Sequence, residues 1–205
     1  MEKKCGNYVP FALFILSEKI SVEYLNTLLE RALDTSESSA GWYILTVVHI
    51  TDPSDPYGCA PDEVIVRDGD RVYRMPQKGT RPPLDDSFVS PFLGKTVEDC
   101  ARYLRGTPDK KDWNREHFCV LCDDDLLEDT VTLVRGFEHG AVHSFPCPVD
   151  EIWGKMMTMW NGRSFEEQLQ TYQYIVEEHP DKDRSVGEAY ELLEYEEDGY
   201  IIFIY

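Results

Sequence analysis

Short apolar runs alternate along this chain with amphipathic segments that begin at a helix-capping residue. Runs rich in β-branched and aromatic residues predict strands at 8–16, 42–50, 117–122, 130–137 and 141–146. Helical spacing and capping residues predict helices from Ser21 to about Asp34, Thr96 to Gly106, Pro148 to about Trp160, and Phe165 to Glu178. This mixed order predicts an α/β (or α+β) fold, in which helices pack on one or both faces of a mixed β-sheet.

The stretches outside these elements complete the predicted organisation. Residues 62–75 alternate in polarity around Asp68-Gly69, a pair that tolerates positive φ, and therefore predict a β-hairpin. Four prolines and two glycines predict a long loop at about 76–94. The end of the chain predicts a short capped helix and a last strand, "GYIIFIY". We expect residues 1–205 to form a single globular domain.

Charge narrows the range of partners. The chain carries 39 acidic against 20 basic residues, a formal net charge of −19. Nucleic acid and anionic membrane surfaces are poor partners for such a chain, because both favour Lys and Arg. A basic protein or divalent cations would be attracted instead, although acidity also serves solubility alone.

The cysteines and the apolar runs indicate the compartment. Six cysteines are spread along the chain, several inside apolar patterns, which favours reduced thiols in an intracellular, cytoplasmic protein. The apolar run at 9–16 contains Pro10 and lacks a small-residue cleavage pattern, so it predicts a buried strand and not a signal peptide. No segment approaches the roughly 20 apolar residues that span a bilayer.

The stretch "HFCVLCDDDLLEDTVTLV", residues 117–134, carries the candidate catalytic residues Asp123, Asp124 and Asp125. They follow a predicted strand, and ligand sites in open α/β sheets gather at the carboxyl ends of strands. Carboxylates there can hold Mg²⁺. The alternative interpretation is a solvated, Asp-rich turn between two antiparallel strands. The sequence contains no P-loop, dinucleotide fingerprint or nucleophile elbow, so we expect no cofactor.

Cys119 and Cys122 have the spacing of half a zinc knuckle, and His117 lies beside them. Both cysteines fall within a predicted strand, where successive side chains point to opposite faces. A strand cannot direct residues i and i+3 at one metal ion. We therefore expect no zinc, with the two cysteines on opposite faces of one strand and at least one of them buried.

The segment 177–198 is the most acidic part of the chain, with ten acidic residues opposed only by Lys182 and Arg184. Apolar spacing within it predicts an ordered amphipathic helix. Its acidic side would display Glu188, Glu191 and Glu194, which we take as candidate binding residues for a basic protein.

Trp160, in "MMTMWNGRSF", is a further candidate binding residue, because Met-rich surfaces adapt to partners. The helical spacing of Ile152, Met156 and Met159 favours a core face for the same helix.

Four stretches between 118 and 169 carry a family resemblance: "FCVLCDDDLLEDTVTLV", "VHSFPCP", "EIW" and "NGRSFEEQL". They match a strand ending in Asp, a second strand, a strand ending before proline, a helix with a Trp and a Phe-Glu-Glu segment. In this pattern the chain resembles a family of small, acidic, uncharacterised bacterial and fungal domains. The resemblance implies no catalytic residue, and the two cysteines and the tripled Asp are not part of the pattern.

Two functional hypotheses follow. The first is a non-enzymatic acidic binding protein, of adaptor, inhibitor or immunity type, that engages a basic protein partner. The alternative is a metal-dependent enzyme that uses the carboxylate cluster Asp123–Asp125. An enzyme requires a concave pocket where the aspartates meet other polar groups, whereas a binding protein requires an exposed acidic face with apolar contacts.

Overall fold

The computed structural model describes residues 11–32, 43–49, 62–68, 71–77, 79–107, 114–160 and 164–178. The strands in these ranges are β1 (Phe11–Ile15), β2 (Leu45–Val47), β3 (Asp62–Asp68), β4 (Arg71–Gln77), β5 (His117–Leu121), β6 (Thr130–Gly136) and β7 (Val142–Pro148). The helices are α1 (Val22–Arg31), α2 (Val97–Gly106), α3 (Asp123–Glu128), α4 (Ile152–Trp160) and α5 (Phe165–Glu178). A single 3-10 turn, Val149–Glu151, precedes α4.

Five strands form one mixed sheet in the order β2-β1-β5-β6-β7. The first three run parallel, with Leu13 of β1 opposite Cys119 of β5, whereas β6 and β7 continue antiparallel. All five residues of β1 are buried, as expected for a parallel strand covered on both faces. The predicted mixed sheet is confirmed.

Helices cover both faces of this sheet, so the fold is α/β. Residues of α1, α4 and α5 pack with Leu13, Cys119 and Leu133 in one apolar cluster. Residues of α2 pack with Phe14 and Phe118 in a second cluster on the opposite face. The ring of Phe14 meets those of Phe118 and Phe92 edge to face, with centroid distances of 5.6 and 4.7 Å.

The helix starts predicted from capping residues are confirmed. The Ser21 hydroxyl accepts the Tyr24 backbone N–H at 3.1 Å. Thr96 forms a reciprocal capping box with the third residue of α2, and Ser164 forms the same pattern at the start of α5. Each cap satisfies backbone N–H groups that the first helical turn leaves unpaired.

The predicted hairpin is also confirmed. Strands β3 and β4 pair in antiparallel register from Asp62 opposite Gln77 to Asp68 opposite Arg71, as a separate two-stranded sheet. The paired positions bracket residues 69–70, one position later than the predicted turn, and those two residues lie outside the described ranges. The helix and strand predicted near the end of the chain also lie outside them.

The predicted proline-rich loop covers one edge of the main sheet, although residues 76–77 belong to β4. Thr80 lies against the outer edge of β2: its N–H donates to the Leu45 carbonyl at 2.8 Å, and its hydroxyl accepts the Val47 N–H at 2.9 Å. The Ser90 hydroxyl donates to the Ile15 carbonyl at 2.8 Å. The loop therefore blocks β2 from pairing with another strand and reaches the carboxyl end of β1.

None of the helices in the described ranges has the length and apolar character required to cross a membrane.

Candidate functional site

The order of the strands creates a switch point beside β1. The chain leaves β1 through α1 to reach β2 on one side, and then passes through α2 to reach β5 on the other side. Because α1 and α2 pack on opposite faces of the sheet, the carboxyl ends of β1 and β5 flank the point where the winding reverses. Ligands bind at such points in open α/β sheets. Ser17 and Lys19 follow β1 here, and the three aspartates follow β5.

Asp123 joins the two strand ends. Its carboxylate accepts a hydrogen bond from the Ser17 hydroxyl and forms an ion pair with the Lys19 ammonium group. Hydrogen bonds from Lys19 and Ser17 hold the pKa of Asp123 below its usual value, and the same contact with Asp123 raises the pKa of Lys19. Asp123 is therefore ionised at neutral pH. The ion pair is solvated, with side-chain exposures of 69% for Lys19 and 49% for Asp123, so it adds little stability.

Sequence reasoning missed Ser17 and Lys19. More than a hundred residues separate Ser17 from Asp123, so no local spacing in the sequence indicates that the two side chains meet. The one available signal was that "SEK" directly follows a predicted strand, as the aspartates do.

Asp125 has a structural role. It is 2% exposed, and its carboxylate accepts hydrogen bonds from the Cys122 backbone N–H at 2.9 Å, the Thr130 hydroxyl at 3.0 Å and the Thr132 hydroxyl at 2.8 Å. The Cys122 thiol also donates to it at 3.0 Å. These contacts connect the end of β5 to β6, so a solvated turn is the wrong interpretation for this residue.

The segment after β5 is a short helix, α3, so the alternative interpretation of an Asp-rich turn is wrong. The Asp125 carboxylate caps the start of the helix by accepting the Cys122 N–H, and negative side chains in a first turn interact favourably with the exposed N–H groups. The helix ends at Glu128, and the C-cap residue Asp129 has a left-handed φ of 54°. The local cap, together with the hydrogen bonds that Asp125 accepts from Thr130 and Thr132 of β6, therefore stabilises a helix in place of a polar turn.

The outer surface of α3 is acidic with an apolar residue on it. Asp123 and Asp124 are exposed, and Leu127 is 82% exposed, the highest value among large hydrophobic residues in the described ranges. Leu127 lies three residues after Asp124 and four after Asp123, so the three side chains share one helix face. We call Asp123, Asp124 and Leu127 the α3 face.

The three aspartates do not form a common site for a metal ion. Asp123 contacts the end of β1, whereas Asp125 contacts β6. In the part of the chain that the structure describes, no group of three or more His, Cys, Asp or Glu side chains is arranged to hold a metal ion. A described cleft lies between β7 and α5, lined by Cys147, Lys155 and other residues that include none of the three aspartates. Its cavity volume of about 10 Å³ leaves room for about one water molecule and none for a substrate.

The two cysteines of the "CVLC" stretch differ in environment. Cys119 is fully buried in β5, with its sulfur 3.9 Å from that of Met156, which confirms that at least one is buried. The prediction that both lie on one strand is wrong, because β5 ends at Leu121 and Cys122 is the N-cap of α3. Burial raises the pKa of both thiols, and the Asp125 contact raises that of Cys122 further. Neither is activated as a nucleophile.

The remaining predicted binding residues cannot be placed in this site. Glu188, Glu191 and Glu194 lie outside the described residues. Trp160 is the last residue of α4, and its side chain is outside the description. The core face predicted for the same helix is confirmed by Ile152 and Met156, which are completely buried.

Comparisons with protein-family models, with curated proteins and with solved structures found no match to this chain. The resemblance of residues 118–169 to acidic bacterial and fungal domains therefore stays a prediction.

Proposed function

We propose that this chain is a non-enzymatic acidic binding protein, of adaptor, inhibitor or immunity type, that engages a basic protein partner. The observation that carries the proposal is the α3 face. Leu127 is 82% exposed and shares its face of the helix with two exposed carboxylates, which would leave an apolar side chain in water unless a partner covers it.

The composition of this face fits a protein interface. Interfaces concentrate binding energy in an apolar anchor that the partner encloses, surrounded by polar contacts that exclude water. Leu127 supplies the anchor, and Asp124 supplies a charge that complements Lys or Arg on the partner. The overall charge of −19 would steer a basic protein towards this surface and raise the association rate.

The state of the aspartates favours binding over catalysis. A metal-dependent enzyme built on Asp123–Asp125 would have to withdraw Asp125 from its buried hydrogen bonds to Thr130 and Thr132. It would also have to break the contacts of Asp123 with Ser17 and Lys19. The position at the switch point is the one feature that supports the enzyme alternative.

We place the protein in the cytoplasm. The four described cysteines are free, and Cys100, Cys119 and Cys147 among them are buried. Buried free thiols agree with a reducing compartment. The acidic side of the predicted helix with Glu188, Glu191 and Glu194 would extend the binding surface, and it stays a prediction.

Affinity purification from the source cells with quantitative mass spectrometry tests the proposal. The bait is the full chain, as wild type and as Leu127→Ser combined with Asp124→Asn. We expect a basic protein that the wild type captures and the double variant loses by about tenfold or more, since loss of an interface anchor costs about 2 kcal/mol.

The matched control is Val89→Ser combined with Asp86→Asn. Val89 is 71% exposed and Asp86 is exposed, both on the loop between β4 and α2. This variant makes the same chemical changes on a different surface and should retain the partner. Equal capture by both variants, or specific loss of a partner that is acidic, would count against the proposal.

A further inference from the structure

A row of basic side chains crosses three strands beneath the start of α5. Cross-strand pairing places His117 of β5 opposite Arg135 of β6, and Arg135 opposite His143 of β7. Directly paired residues in a sheet point to the same face. This row continues the face that carries Cys119, Leu133 and Phe145, which α5 covers.

The first turn of α5 is fixed to this row by two contacts. The ring of Phe165, 2% exposed, lies 5.7 Å from the His117 ring, measured between centroids. The carboxylate of Glu166 forms an ion pair with Arg135. His117 therefore lies between the sheet and the start of α5, so a change in the charge of its ring would act directly on the contact that holds the helix start.

The surroundings of His117 favour a neutral imidazole. Its Nε2 atom is buried and has no hydrogen-bond partner within the described part of the chain. The charged groups that act on it are Arg135 on β6, Glu116 before β5 and Glu166 on α5. Burial, and then the positive charge of Arg135, lower the pKa of His117, and the two glutamates oppose that effect without overcoming it.

We propose that the contact between the first turn of α5 and the His117–Arg135–His143 row is an acid-sensitive latch. The helix start is docked while His117 is neutral and is released when His117 takes up a proton. A proton on the partly buried ring places a second positive charge beside Arg135 and requires hydration, and lifting Phe165 from the ring admits water. This inference is independent of the proposed binding function.

The direction of the pH effect follows from linkage. A histidine whose pKa is lowered in the docked state binds protons more strongly when the latch is open. Docking is therefore strongest above the ordinary histidine pKa of about 6.5 and weakens as the pH falls below it. Between about pH 7.5 and about pH 5.5 the opening equilibrium should rise by up to roughly tenfold.

Amide hydrogen exchange of the full chain, corrected for the intrinsic effect of pH, measures this opening. We expect the protection of residues 167–170 to fall by up to about tenfold at the lower pH in the wild type, while α2 serves as an internal reference and stays protected. His117→Phe keeps a ring against Phe165 and cannot ionise, so its protection should not change with pH. If this variant does not fold, His117→Gln provides the same test.

His143→Phe is the matched control, because His143 is exposed in the same row; it should respond to pH as the wild type does. An equal fall in the His117 variant, no fall in the wild type, or a fall that includes α2 would each overturn the latch.

Discussion

Replacement of Asp125 by alanine should be strongly destabilising, because the carboxylate is the common acceptor for two donors on β6 and for one at the N-cap of α3. Alanine removes the acceptor for the Cys122 N–H and for the hydroxyls of Thr130 and Thr132. Thr130 is fully buried, so its hydroxyl loses its partner where water does not reach it. The other two donors are partly buried and regain some contact with water.

The magnitude follows from these three donors. A buried donor left without a partner costs about 1–3 kcal/mol, and the two partly buried donors cost less. We expect Asp125→Ala to lower the free energy of unfolding by about 3–4 kcal/mol, a large part of the usual 5–15 kcal/mol of a domain. Asp125→Asn keeps the shape and one acceptor but loses the charge-assisted hydrogen bonds, so about 1–2 kcal/mol is expected.

Equilibrium unfolding in urea, followed by circular dichroism, measures this loss as a lower midpoint at an unchanged slope. The control is Asp124→Ala, an exposed change in the same turn of α3, which removes only a first-turn charge and should lower stability by no more than about 1 kcal/mol. Equal and small effects of the two substitutions would refute the reasoning. The Asp125 carboxylate would then be available for chemistry, and the enzyme alternative would gain support.

Two other substitutions test how the fold is held together. Gly79→Ala should destabilise the protein by about 2 kcal/mol or more, because the added Cβ would lie closer than 3.0 Å to the Tyr43 carbonyl, a distance that real Cβ atoms essentially never show. Thermal unfolding measures this loss, and an unchanged melting temperature would contradict the prediction. Arg31→Met should cost about 1–2 kcal/mol at neutral pH, because Arg31 donates to Asp150 at 2.8 and 2.9 Å and to Asp129 at 2.8 Å. Because Arg31 holds the pKa of Asp150 below its usual value, this stabilisation is present above the unfolded carboxylate pKa and is lost as the pH falls through the lower folded value. The variant should therefore lose part of the acid sensitivity of the wild type, and identical pH profiles of the two proteins would contradict the assignment.

Much of the fold could be predicted because its signals are local. Ser21, Thr96 and Ser164 each cap the helix that begins within three residues of them. The apolar runs of β1 and β5 predict strands from their own residues, without any long-range contact. The error at α3 has a physical cause. Three aspartates have poor helix propensity, and the contacts that offset it come from Thr130 and Thr132 on the next strand.

The candidate site was less predictable because it depends on strand order. Ser17 and Lys19 meet Asp123 only because β5 pairs with β1, and no spacing in the sequence encodes that pairing. The exposure of Leu127 has a similar origin. Its apolar neighbour Leu126 packs against the core whereas Leu127 does not, and a six-residue helix is too short for periodicity to distinguish them.

The association kinetics of the captured partner test the central claim, binding of a basic protein by the α3 face, most directly. We predict that the association rate of the wild type falls as salt is raised, and that Asp124→Asn associates more slowly with a weaker salt dependence. Leu127→Ser should mainly accelerate dissociation, because it removes the apolar anchor. Unchanged association rates, dissociation rates and salt dependence in both variants would contradict the claim.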